Sequence, residues 1–280
     1  MARLRSSVGS FCLGLGFHVA MRVETQEVLS LIQKLRPFDC GKELIRVGGP
    51  GDGGYLIPND LEGVEYCFSP GVGGNCAFEN QLANLGIKSF MADYSVDGPP
   101  VSRPEFTFDK KFVGAYDSER FMTMAFWKEK YLKDYAGELV LEMDVEGSEY
   151  EVILNMPDAL LNQFRIMAIE FHDLDLLFER SAFPLISSCF EKILRNFCVV
   201  HIHPNNCRPP VKCGKIEIPR VLEFTFLNRR RVASTRPRSD FPHKLDFESE
   251  QRPPLPLPAC WYSPSNGGEP KYGPIAGMSR

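Results

Sequence analysis

Residues 64–80, V-E-Y-C-F-S-P-G-V-G-G-N-C-A-F-E-N, and the answering segment 87–95, I-K-S-F-M-A-D-Y-S, decide how the rest of the chain is read. Val64, Tyr66 and Phe68 make a β-branched and aromatic run that breaks at Ser69-Pro70 into Gly71, Gly73 and Gly74. Phe78, Leu82 and Leu85 then recur with helical spacing. This predicts strand, tight turn, helix. Glycines in such a turn admit positive φ and let a ligand approach main-chain N–H groups at the helix N-terminus. The second strand ends on Asp93, about twenty residues after the glycines, where a carboxylate can accept hydrogen bonds from ribose hydroxyls. A plain tight turn would also account for the glycines, so Asp93 is what makes this a candidate nucleoside site.

The spacing bears on which nucleoside. A dinucleotide fingerprint runs Gly-x-Gly-x-x-Gly/Ala, and the pattern that starts at Gly71 puts Cys76 in the last position. Close helix–strand packing over a pyrophosphate is therefore poorly provided for. A mononucleoside such as S-adenosylmethionine has no phosphate to cradle and asks less of the turn.

At 280 residues, with 44% hydrophobic and 24% charged residues, the chain has the composition of a globular protein with one substantial core. The net charge of −4, from 32 basic and 36 acidic residues, gives no nucleic-acid footprint. No apolar run is long enough for stable membrane insertion. Nine cysteines without a C-x-x-C pair suggest reduced thiols and a cytoplasmic setting. Residues 1–23 carry Arg3, Arg5 and Arg22, no acid, and an apolar run interrupted by Gly14, Gly16 and His18. They read as a disordered extension or as a secretory or organellar targeting segment.

Residues 24–61 form an N-terminal helix and a Gly-rich cap. Val28, Leu29, Ile32 and Leu35 share one helical face, ended by Pro37 and Gly41. Residues 44–61 flank a turn rich in glycine, which is either a surface hairpin or a flexible cap whose Asp52 and Tyr55 reach the nucleoside site. Residues 62–232 form the core. After the loop at Gly98-Pro99-Pro100 come a strand near 107–115 and a helix at 121–132 that packs through Met122, Ala125, Phe126 and Tyr131. A strand at 138–144, a helix at 150–155 and a strand at 165–171 follow. A helix at 183–197, with Ile186, Phe190 and Leu194 on one face, precedes strands at 198–203 and 221–227. The alternation predicts an α/β fold, a doubly wound seven-stranded mostly parallel sheet. Ligands bind at the carboxyl ends of such strands, which would collect Ser69, Asp93, Asp144, Glu146, Glu170, His172, His201, His203, Asn205 and Asn206.

Six segments within the core and cap carry a family resemblance: D-G-G-Y-L-I-P at 52–58, C-F-S-P-G-V at 67–72, A-D-Y-S-V-D-G-P-P at 92–100, M-D-V-E-G-S-E-Y-E-V at 143–152, I-E-F-H at 169–172 and H-I-H-P-N-N at 201–206. Together with F-P-H-K-L-D at 241–246 and L-P-A-C-W-Y at 257–262, they resemble the FkbM-type S-adenosylmethionine-dependent methyltransferases. Asp144, Glu146, Gly147, Glu149 and Tyr150 match the family's most distinctive run. The resemblance implies a Rossmann-like class I methyltransferase fold, S-adenosyl-L-methionine as cofactor, and O-methylation of a small molecule, often a polyketide or sugar hydroxyl.

Methyl transfer from a sulfonium is a one-step in-line displacement, so such an enzyme mainly contributes alignment. Asp93 is expected to take the ribose hydroxyls. Ser69, Gly71, Gly73 and Asp144 are expected along the cofactor, with Glu79 supporting the turn. An alcohol needs a base. His172 is the first candidate and His203 the second, with Asp144 or Glu146 orienting the acceptor or the histidine. Blander roles stand beside these: His172 as a hydrogen-bonded loop residue, Asp144 and Glu146 as helix caps. His201, His203, Cys207 and Cys213 lack the spacing of a zinc finger. Magnesium on Asp144, Glu146 and Glu149 is not something the resemblance supports, so no metal is expected. In the Pro-rich tail, 233–280, the R-P-P-L-P-L-P run at 252–258 suits either an SH3-like partner or packing across its own domain. Phe241, Leu245, Phe247, Trp261 and Tyr262 would otherwise be stranded, which favours packing. Two other functional classes remain: a nicotinamide-dependent oxidoreductase, disfavoured by Cys76 and the acidic run at Asp144, and a catalytically silent scaffold.

Overall fold

The computed structural model describes residues 20–263. Most of the candidate targeting segment, 1–19, and the end of the tail, 264–280, lie outside them.

Seven strands form the central sheet: β1 (Tyr66–Pro70), β2 (Lys88–Ala92), β3 (Phe106–Asp109), β4 (Leu139–Met143), β5 (Phe164–Phe171), β6 (Phe197–Pro204) and β7 (Leu222–Asn228). Their spatial order is β6-β7-β5-β4-β1-β2-β3. β3, β2, β1, β4 and β5 run parallel, and β7 is antiparallel between β5 and β6. Every residue of β4, β5, β6 and β7 is buried, as expected for strands covered on both faces. β3, at the edge, is half-exposed throughout. The helices are α1 (Thr25–Lys34), α2 (Ala77–Asn84), α3 (Met124–Leu132), α4 (Glu149–Asn155), α5 (Asp158–Leu161) and α6 (Phe183–Leu194). The expected α/β, doubly wound, mostly parallel sheet is what forms. The chain leaves β1 toward β2 and β3 and then returns to build β4 and β5 on the other side. This places the switch in strand order between β1 and β4, where a crevice opens at the carboxyl ends.

The main core joins Phe68, Leu141, Phe164 and Phe171 to Trp127 of α3 and to Phe190 and Ile193 of α6, and it includes Val28, Ile32 and Leu35 of α1 and its exit. A second cluster under the opposite face holds Tyr55, Ile57, Cys67, Phe78, Val140 and Ile166. Among the described residues no helix is long and apolar enough to cross a membrane.

Local expectations needed correction in three places. The strand expected at 107–115 stops at Asp109, because Asp109 is held by Trp127 Nε1 at 3.0 Å and by Lys130, while the chain turns through Lys111 N–H to Asp109 O. Phe112–Val113 instead pairs in parallel with Phe121–Met122. The helix expected from 121 starts at Met124, where Thr123 Oγ1 accepts from Phe126 N at 3.1 Å, and Phe126 turns outward, 48% exposed. The Gly-rich cap is no surface hairpin. Leu44–Val47 and Tyr55–Pro58 pair antiparallel, all of Tyr55–Pro58 is buried, and Thr225 Oγ1 donates to Leu56 O at 2.6 Å. Gly54 is required there because a Cβ would sit 2.2 Å from Gly49 O.

The tail packs on its own domain as far as it is described. Arg236–Pro237 pairs with Phe38–Asp39, Trp261 is fully buried and donates from Nε1 to Glu217 O at 3.0 Å, and Phe241 stacks on His201. Leu257, in the proline run, is buried too.

Candidate functional site

A cavity of about 510 Å³ opens at the switch point, within the size range of small-molecule sites. Its lining includes Gly71, Gly73, Glu79, Asp93, Glu142, Asp144 and Glu146, together with Asp52 and Tyr55 from the cap. Most of the expected cofactor residues therefore share one space. Gly71 is there for a packing reason. Its φ is +95°, and a Cβ would lie 1.6 Å from Asp144 O, so glycine lets the turn after β1 rest on the end of β4. Asp93 Oδ2 accepts from Gly73 N at 2.9 Å, and its Oδ1 accepts from Ser95 N and Oγ, both at 2.7 Å. Three of about four lone-pair sites on that carboxylate are used. One site on Oδ2 is left for a ribose hydroxyl, fewer than the two-hydroxyl contact expected.

The floor of the cavity is a buried acid pair. Ser69 Oγ touches Glu79 Oε1 and lies 2.7 Å from Glu142 Oε2. A hydroxyl carries one proton, so it can donate to only one of them, and the other contact needs a protonated carboxyl as donor. Glu142 fits that part. Burial and the adjoining Glu79 push its pKa well above the ordinary value, against the pull of bonds from Ser69 and Tyr55. Burial raises Glu79 as well. Glu79 thus braces the end of β1 through Ser69, and not the glycine turn. The clue to Glu142 is an acid in the middle of the apolar strand E-L-V-L-E-M-D.

His172 does not line the cavity; it stands just past the end of β5 among four carboxylates, of which Asp144 and Glu146 do line it. Nδ1 is 3.1 Å from Glu149 Oε1, and Nε2 is 3.4 Å from Glu146 Oε2, 3.5 Å from Glu170 Oε1 and 3.8 Å from Asp144 Oδ1. Burial lowers its pKa, but the Glu149 bond and the surrounding charges outweigh burial, and the net shift is upward. That favours imidazolium, a proton holder. Burial raises Asp144 to about 7, with Glu146, Glu149 and Asp52 adding to the shift and His172 opposing it. Glu170, raised by burial and by Asp144, takes Asn205 Nδ2 on both oxygens, at 3.1 and 3.2 Å. The turn into this cluster is strained, with Glu146 at φ +53° ahead of Gly147. The helix-cap role does not materialise: α4 is entered at Ser148, and the acid that bonds back to the loop is Glu149, which accepts from Gly147 N at 3.0 Å.

His203 does not join this space. It lies near a separate cavity of about 90 Å³ together with Phe241, Asp246 and Leu257. Asp246, from the tail, sits 2.8 Å from His201 Nε2 and 3.6 Å from His203 Nδ1. Burial opposes charge on both histidines. It prevails at His201, which is shifted down, while at His203 the Asp246 bond and the charges of Glu223, Asp246 and Glu248 hold the pKa at about 9. Asp246 is held below the usual carboxylate range. With Asp246 on the two histidines, the set His201, His203, Cys207 and Cys213 offers no shared metal position among the described residues.

No protein-family model matches the chain, and no curated protein matches it significantly.

Proposed function

We propose that the chain is an S-adenosylmethionine-dependent methyltransferase acting on a small-molecule hydroxyl. The observation that carries this reading is Asp93 at the end of β2, tied to Gly73 N–H at 2.9 Å beside a cavity floored by buried acids. Such a site suits a ligand that combines a ribose with positive charge. Asp93 would hold the ribose, and the turn from Gly71 to Gly74 would border the amino-acid portion. Glu142 and Asp144 would meet the positive charge, whose arrival favours their ionised forms. The bound cofactor would supply an electrophilic methyl group. Asp144, which lines the cavity, is where the proton of an acceptor hydroxyl would go, with the His172 imidazolium beside it favouring the ionised carboxylate that accepts, and Phe112 and Phe121 give the cavity an aromatic wall for that acceptor. The strand order, with β7 antiparallel inside the sheet, supports the same reading. The unpaired state of the described cysteines is in keeping with a cytoplasmic setting.

Calorimetric titration with S-adenosylhomocysteine tests this. Micromolar binding is expected, weakened at least about tenfold by Asp93→Ala, since a hydrogen bond to a charged group contributes about 1.5–3 kcal/mol. No heat from folded protein, or heat with NADH instead, would overturn the reading.

A further inference from the structure

Asp144, Glu149 and His172 present one ligand atom each within 4.8 Å of one another. An octahedral ion with bonds of about 2.1 Å places opposite ligands about 4.2 Å apart, so a small closure of these side chains would enclose one. A second observation points to an occupant. Asp144 Oδ1 and Glu149 Oε2 are buried and have no hydrogen-bond partner, and the Glu149 side chain is 0% exposed. Buried carboxylate oxygens are costly to leave unpaired. The imidazole is also supported as a ligating histidine needs to be, with Glu149 at its Nδ1 and Glu146 and Glu170 at its Nε2. Whichever nitrogen binds, the other can donate its proton to a carboxylate.

We propose that Asp144, Glu149 and His172 form a site for a divalent cation, with its remaining positions toward the cavity that Asp144 lines. Two carboxylates and one imidazole, without thiolate, suit Mn²⁺ among the common ions. An acceptor hydroxyl entering the cavity would meet the cation at the Asp144 end. The binding itself does not depend on the methyl-transfer reading.

The test uses the full chain, stripped with chelator and titrated with Mn²⁺ while the free ion is followed by electron paramagnetic resonance. About one ion per chain is expected, with affinity at least about tenfold weaker in Asp144→Asn and in His172→Gln. Glu191→Gln, on the exposed face of α6, should bind as the wild type does. Circular dichroism establishes that each variant is folded. Absence of binding in folded wild type overturns the proposal, as does equal binding in folded Asp144→Asn and His172→Gln. Because the readout involves no nucleoside, failure here leaves the S-adenosylhomocysteine titration unaffected.

Discussion

Two clusters of acids and histidines lie along the carboxyl edge of the sheet, one around Asp144 and His172 at β4 and β5, the other around His201 and His203 on β6. In the first, the carboxylates outnumber their partners, Asp144 Oδ1 and Glu149 Oε2 are bare, and a cavity adjoins. In the second, a carboxylate from far along the chain, Asp246, with its side chain only 5% exposed, faces one nitrogen of each histidine, and only the outer nitrogens, His201 Nδ1 and His203 Nε2, are left without a hydrogen bond. Residue types and strand positions are alike. What separates the open cluster from a structural clasp is whether the chain itself supplies the opposite charge.

Asp246→Ala is the strongest way to break the contrast. It strips a buried partner from two histidines and an acceptor from His243 N, which lies 2.7 Å from Asp246 Oδ2. A loss of about 3–5 kcal/mol is expected in urea unfolding, the usual cost of leaving a buried charge alone. Asp144→Asn, in the open cluster, removes a charge whose Oδ1 lacks a hydrogen bond, and a change within about 1 kcal/mol is expected. Equal losses in the two variants would show that the clusters do the same structural work.

The pH dependence separates the clusters next. His203 is raised from 6.5 to about 9, so its stabilising contribution is complete below pH 6.5 and is lost as pH rises through about 9. The full shift corresponds to about 3 kcal/mol. Asp144 is raised from 3.8 to about 7, so the folded state is penalised increasingly across that window and constantly above it. Wild-type stability should therefore decline in both windows. In Asp246→Ala the decline between pH 6.5 and 9 should flatten while the lower one persists, as unfolding midpoints across pH will report.

The cavity at the switch point was legible because each signal was local: a β-rich run, glycines, helical spacing, and an acid at a fixed distance. Those signals place Asp93 and Gly71 at the cavity, although the reason for Gly71, its contact with Asp144 O, is a tertiary fact. His203 was misleading because strand-end position cannot show which neighbour covers a side chain. The answer lay in Asp246, inside a Pro-rich tail whose composition says nothing about one buried acid. Phe112–Val113 and Phe121–Met122 are two-residue strands, too short to show a period. The long strands were read well because burial on both faces leaves continuous apolar runs.

A last comparison tests whether the buried acid pair on the cavity floor holds a proton at rest. If Glu142 carries a proton in the folded protein, as its burial beside Glu79 favours, Gln is close to an isosteric copy of it. The amide NH₂ can donate to Ser69 Oγ, which in turn donates to Glu79, and the amide oxygen can accept from Tyr55. At neutral pH the wild type bears the cost of keeping a proton above the ordinary pKa of 4.5, and Glu142→Gln does not. The variant should be more stable than the wild type at pH 7, and the gain should shrink, by up to about 1.4 kcal/mol per pH unit, on acidification toward pH 4.5, where the carboxyl is protonated in the unfolded chain as well. A loss of about 2 kcal/mol at pH 7 would mean that Glu142 is ionised and already paired. The cavity floor would then be a clasp of the kind seen at Asp246, and the case for a cationic ligand above it would lose its electrostatic basis.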